Sequence, residues 1–182
     1  MSAGSNSSME DTTQKSFREV IARVADYPEE AYRFVRDGLN FAVEEVHGPE
    51  SSAQAAIMRY LRKNDIDLSD LRDLYAAGQL NDALVAAIER AGGFEKLNRH
   101  VSGAELSWGL RNFAMLQWGG LARTVLSNWN ITSTYDFGRI VFALIDCGYL
   151  QKQSSDSIDD FKGVFDFTEA LDRSYRIDLD LE

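Results

Sequence analysis

The sequence predicts a mainly α-helical protein with a small β-hairpin near 149–167. Three observations carry that expectation. Apolar residues recur at helical spacing through most of the chain. Only two of the 182 residues are proline, and most of the 13 glycines stand where an apolar-periodic segment stops, as helix C-termini require. Apolar side chains make up 45% and charged ones 26%, so a chain of this length can bury a core without disulfides or metals. One cysteine, Cys147, excludes an internal disulfide and fits a reducing compartment. No apolar run reaches the roughly 18 residues of a membrane-spanning helix, and the N-terminus lacks the apolar stretch of a signal peptide. The expected location is the cytoplasm.

Residues 1–13 are small and polar and read as a disordered tail. A single α-rich domain is expected over 14–175. Its first helix starts near Thr13, with Phe17, Val20, Ile21 and Val24 on one face. Asp26-Tyr27-Pro28 breaks it, and Pro28 suits the first turn of the next helix. That helix reaches Val46, with Ala31, Phe34, Val35, Leu39, Ala42 and Val46 as its buried stripe. Gly38 inside it lowers helix stability by roughly 1 kcal/mol relative to alanine. Three shorter helices follow in 50–99, marked by Ile57 and Leu61, by Leu68, Leu71 and Leu74, and by Leu84 and Ile88. Ser102 and Glu105 are spaced as a capping box, with Val101 and Leu106 as the flanking staple. The helix they open buries Leu106, Leu110, Phe113 and Ala114 and stops at Gly119-Gly120; a short helix over 121–129 comes next. Ser133 or Thr134 caps a helix carrying Phe137, Ile140, Val141, Leu144 and Ile145. Beyond Cys147-Gly148, an extended piece, a polar loop over 154–160 and the alternating stretch 162–167 give the hairpin. A helix over 168–175 and an acidic tail, 176–182, close the chain.

The order of elements in 101–167 resembles a winged helix, an architecture that reads DNA. The charges oppose that use. The chain carries 19 basic and 29 acidic residues, net −10. The presumed recognition helix, 134–147, offers Arg139 against Asp136 and Asp146, and the presumed wing offers Asp156, Asp159 and Asp160 against Lys162. DNA affinity comes largely from phosphate contacts by Lys and Arg, so no binding to nucleic acid is expected. The one cation-rich stretch, from Arg59 to Arg99, is interleaved with acids. By contrast, residues 101–148 hold only six charged residues, 25 apolar ones and all three tryptophans. A stretch so poor in charge is core, or core plus an interface.

The strings His100-Val101-Ser102-Gly103-x-Glu105-Leu106-x-x-Gly109-Leu110-Arg111 and Ser133-Thr134-x-Asp136-Phe137-Gly138-x-Ile140-Val141-Phe142-x-Leu144 resemble a family of small bacterial proteins of unknown function. Leu121-Ala122-x-Thr124-Val125-Leu126, Trp129, Asp166-Phe167-x-Glu169-Ala170 and Glu30-Ala31-Tyr32-x-Phe34-Val35 extend the resemblance over roughly 30–46 and 100–171. It implies that 48–98 is a helical insertion. It implies no activity. The Asp-Phe-Gly triplet here lacks the glycine-rich and catalytic loops of a kinase.

Other chemistry is sparse. His47 and His100, with Glu44, Glu45 or Glu105, match no metal-ligand spacing; each stands just outside a predicted helix. Cys147 beside Asp146 lacks the electropositive setting of a reactive thiol. Asp65, Asp67, Ser69 and Asp70 begin like a calcium loop, but the required glycine is missing and Ala76 replaces the closing glutamate. No catalytic residue, cofactor or metal site is expected. The leading expectation is a non-enzymatic protein–protein interaction or assembly module, its partner another protein or a second copy. Trp, Tyr and Arg dominate interface energetics, which singles out Trp108, Arg111, Trp118, Arg123 and Trp129. A DNA-binding regulator and an enzyme with an unrecognised site are the alternatives.

Overall fold

The structure, a computed structural model, describes residues 26–173. The expected tail 1–13, the helix over 13–24 and the acidic tail 176–182 lie outside the described residues. Helices account for most of the rest: α1 (Glu29–His47), α2 (Ser52–Asn64), α3 (Leu68–Ala76), α4 (Asp82–Arg90), α5 (Phe94–Leu97), α6 (Gly103–Trp118), α7 (Ala122–Asn128) and α8 (Thr134–Asp146). Short 3-10 turns occupy Gly119–Leu121 and Ile158–Phe161, and one turn of π-helix spans Thr168–Arg173. Among the described residues no helix is long and apolar enough to cross a membrane.

The chain divides into two compact units. One consists of the segments up to Ala42 and from Ser102 onward; the other is Val43–Val101. In the second unit, Ile57, Leu61, Leu71, Leu84, Ile88, Ala91 and Leu97 form the core. Four helices stand where three were expected, because Phe94–Leu97 turns once more after Gly93. Ser51, Asp67 and Asn81 cap α2, α3 and α4 through their side chains. The buried Gln54 amide donates to the Lys96 carbonyl at 2.7 Å, fixing α2 to α5. The two ends of the unit are tied as well. His47 Nε2 donates to the His100 carbonyl at 2.8 Å, and Arg99 donates to the Gly48 carbonyl at 2.6 Å.

The first unit is organised by the crossing of α1 and α6. Ala31, Tyr32, Phe34, Val35, Gly38 and Ala42 are the buried stripe of α1; Leu39 is half-buried and Val46 exposed. On α6, Leu106, Gly109, Leu110 and Ala114 face inward. Glycines permit the close approach: a Cβ at Gly38 would lie 2.5 Å from Leu110 Cδ2, and one at Gly109 would collide with Ala42. The helix-propensity loss at Gly38 is the cost of this contact. The start of α6 is closed as expected. The Glu105 N–H donates to Ser102 Oγ at 3.2 Å, and the Ser102 N–H donates to the Glu105 carboxylate at 2.8 Å.

Residues 149–167 correct the expected hairpin and winged-helix shape: no strand forms there. The backbone finds other partners. The N–H groups of Tyr149 and Leu150 donate to the Leu144 carbonyl at the end of α8, and that of Gln153 donates to the Asp156 carboxylate. The alternation of 162–167 reflects anchoring to helices. Phe161 is buried between α6 and α8; a Cβ at Gly103 would stand 2.9 Å from its ring, and one at Gly138 2.8 Å. Gly163 turns the chain at φ +62°. Phe167 then packs on Phe137, ring centroids 5.7 Å apart. The Thr134 hydroxyl donates to the Phe161 carbonyl at 2.6 Å and accepts from the Val164 N–H at 3.3 Å. The segment is a strap across α6 and α8.

Candidate functional site

The five residues singled out in the sequence have different fates. Trp118 and Trp129 are half-buried and meet edge to face at 5.4 Å. Both pack on Phe34, at 5.3 and 5.9 Å, within an aromatic group that includes Phe113 and Phe137. Arg111 turns toward the chain end: its Nε and Nη2 donate to the Ala170 carbonyl at 2.9 and 2.8 Å. Arg123 pairs with Asp172 at 2.7 Å. Two arginines thus hold the π-helical turn. Trp108 alone of the three tryptophans is exposed, at 46%, and its ring lies 4.6 Å from that of Phe165.

Two residues that sequence reasoning missed stand out beside it. Leu116 is 70% exposed and Leu121 is 66% exposed. Ala104, Trp108, Asn112 and Leu116 are spaced four apart along α6, one ridge of the helix surface. No ionisable side chain stands in that row, and Met115 lies half-buried beside it. α6 is therefore apolar on two sides, one buried within its unit and one facing solvent. The signal was present in the sequence as an uncharged four-residue spacing. It was hidden because the core face of the same helix is equally apolar.

The second motif string is accounted for by packing and hydrogen bonds. Asp136 is the third residue of α8. Its Oδ2 accepts from the Ser133 N–H and hydroxyl, both at 2.9 Å, and from the Thr132 N–H at 3.0 Å. Its Oδ1 accepts from the buried Tyr27 hydroxyl at 2.7 Å. Burial alone would raise the Asp136 pKa; the Tyr27 hydroxyl, the two N–H groups and the Ser133 hydroxyl reverse this and hold it below its ordinary value. Burial and the Asp136 carboxylate push the Tyr27 phenol well above its usual pKa. Tyr32, enclosed and near Asp26, is pushed up to about 12. Arg139 donates to the Tyr27 oxygen at 3.1 Å, lies over its ring and pairs with Asp26. Phe137 fills the core and Gly138 seats Phe161.

His47 meets a backbone carbonyl, not the His100 ring. Among the described residues no group of three or more His, Cys, Asp or Glu is placed to hold a metal ion. Cys147 is half-buried at the end of α8. Comparisons with protein-family models, with curated proteins and with solved structures give no match to this chain.

Proposed function

We propose that the protein is a cytoplasmic interaction or assembly module without chemistry of its own, and that the outer face of α6, continued by Leu121, is its contact surface. The exposure of Trp108, Leu116 and Leu121 in a stretch nearly free of charge carries this reading. Single exposed leucines are ordinary. A helix that is apolar on both sides is one that is covered on both sides. Burying one such leucine is worth about 1.5–3 kcal/mol, a gain the described residues leave unrealised. The motif residues support the same division. Gly103, Gly109, Arg111, Asp136 and Gly138 serve as joints of the scaffold, which would be the common property of the bacterial family the strings resemble.

Photo-crosslinking in the cell tests the reading. Benzoylphenylalanine is placed at position 116, at position 121 and, as a control, at the exposed Ser127 position. Defined protein adducts are expected from 116 and 121, well above those from 127. Adducts no more abundant at 116 and 121 than at 127 would contradict a contact surface there.

A further inference from the structure

We infer that the second unit, Val43–Val101, is a module that opens and closes as one cooperative body while the first unit stays folded, and that a reciprocal clasp between its two ends sets the threshold for opening. None of the contact residues Trp108, Leu116 and Leu121 belongs to the module. Its core runs in sequence only from Ile57 to Leu97, and the half-buried side chains packed against that core run from Ala53 to Phe94. A segment of roughly 60 residues with a core of its own can fold alone, though marginally. The helix ends are also satisfied within the module. Ser51, Asp67 and Asn81 accept from backbone N–H groups in the first turns of α2, α3 and α4, and Gln54 ties α2 to the Lys96 carbonyl.

The clasp closes this body at its ends. His47 donates to the His100 carbonyl across 53 residues of sequence, and Arg99 donates back to the Gly48 carbonyl across 51. Each end thus supplies one side-chain donor and one backbone acceptor. Closing a loop of that length in an unfolded chain costs more entropy than one hydrogen bond returns. Both bonds therefore form only when the helices between them are folded, and what they contribute is added to the module as a whole. Arg99 is half-buried and its donor is charged, which makes its bond the stronger of the two. The module is also the weaker unit. Among the described residues, its large, fully enclosed side chains are Ile57, Leu71 and Leu97, whereas the first unit encloses Tyr32, Phe137, Leu110, Ile140, Leu144 and others. Stabilisation follows buried apolar area, and cooperative units of unequal stability open separately.

The full chain contains its own probes for a test. All three tryptophans lie in the first unit, whereas both units carry helix. Urea unfolding followed by tryptophan fluorescence and by far-ultraviolet circular dichroism therefore reads the two apart. The dichroism is expected to fall in two steps, and the fluorescence to change only at the second. His47→Ala and Arg99→Ala should each move the first step to lower urea, by about 0.5 M or more, and leave the fluorescence midpoint in place. A variant whose module is already open without urea should lack the first step and keep the second, which upholds the inference equally. Coincident midpoints by the two probes in the wild-type chain, the mark of a single two-state transition, would overturn the separate module. A first step that neither variant moves would overturn the clasp. A fluorescence midpoint that falls together with the first step in either variant would show that the two units unfold as one, and would overturn the inference as well.

Discussion

Gly109→Val is expected to destabilise the protein by about 3 kcal/mol, because overpacking at a rigid helix crossing has no cheap relief. Helix propensity alone argues the other way at this position, since glycine in a helix interior costs about 1 kcal/mol relative to alanine. The crossing decides the sign. A Cβ at Gly109 would collide with the Ala42 methyl and stand 2.8 Å from the Ala42 Cα. The first obstacle is a side chain and the second is backbone, so α1 itself must move. Moving α1 disturbs Phe34, which packs on Phe113, Trp118, Trp129 and Phe137. Even Gly109→Ala should cost about 1–3 kcal/mol. Ala42→Gly in the same chain should recover part of that loss, the coupling expected of residues in direct contact. Urea unfolding of the four chains measures it. A Gly109→Ala chain as stable as wild type would mean that the helices cross less closely.

Asp136→Ala should cost about 3 kcal/mol, since it strips partners from the buried Tyr27 hydroxyl and from the first turn of α8 at once. Hydrogen bonds to a charged acceptor are the stronger kind, and this carboxylate takes five. The effect depends on pH with a definite sign. Asp136 is held below its ordinary pKa in the fold and returns to about 3.9 in the unfolded chain. Its contribution is therefore fully present above that unfolded value and is lost as pH falls through the lower folded value. Wild type and Asp136→Asn should differ clearly at about pH 7, and the gap should close as pH falls below about 3.9, the unfolded value, and on through the lowered folded one. A gap that stays constant across that range would show that ionisation of Asp136 does not stabilise the fold.

Much of this scaffold is legible in the sequence because its signals are local. The cap at Ser102 and the stripe of Ala31, Phe34 and Val35 need only neighbours three or four residues away. The hairpin was misread because alternation in 162–167 is a two-residue period whatever creates it. Here Phe161 and Phe167 dock on α6 and α8, and no second strand is needed. Gly38 reads as a helix defect and Gly109 only as part of a motif string, since only the partner helix reveals what a Cβ would strike. The role of Asp136 toward Tyr27 spans 109 residues of sequence, and no local spacing encodes such a contact. The same limit governs the candidate surface. All three tryptophans looked alike in a charge-poor stretch, yet Phe34 takes two of them inward and leaves Trp108 outside. Leu116 and Leu121 lie in the same charge-poor stretch, and no local spacing distinguishes their exposed positions from core ones.

The central claim is that Leu116 and Leu121 serve a contact beyond their own chain and contribute nothing to its fold. Urea unfolding of a Leu116→Ser, Leu121→Ser double variant at about 1 μM, dilute enough to suppress weak association, tests this most directly. The account predicts an unfolding free energy within about 0.5 kcal/mol of wild type, as for surface substitutions that touch no structural feature. A loss of about 2 kcal/mol or more would mark both leucines as core residues, and the contact surface on α6 would fall with that result.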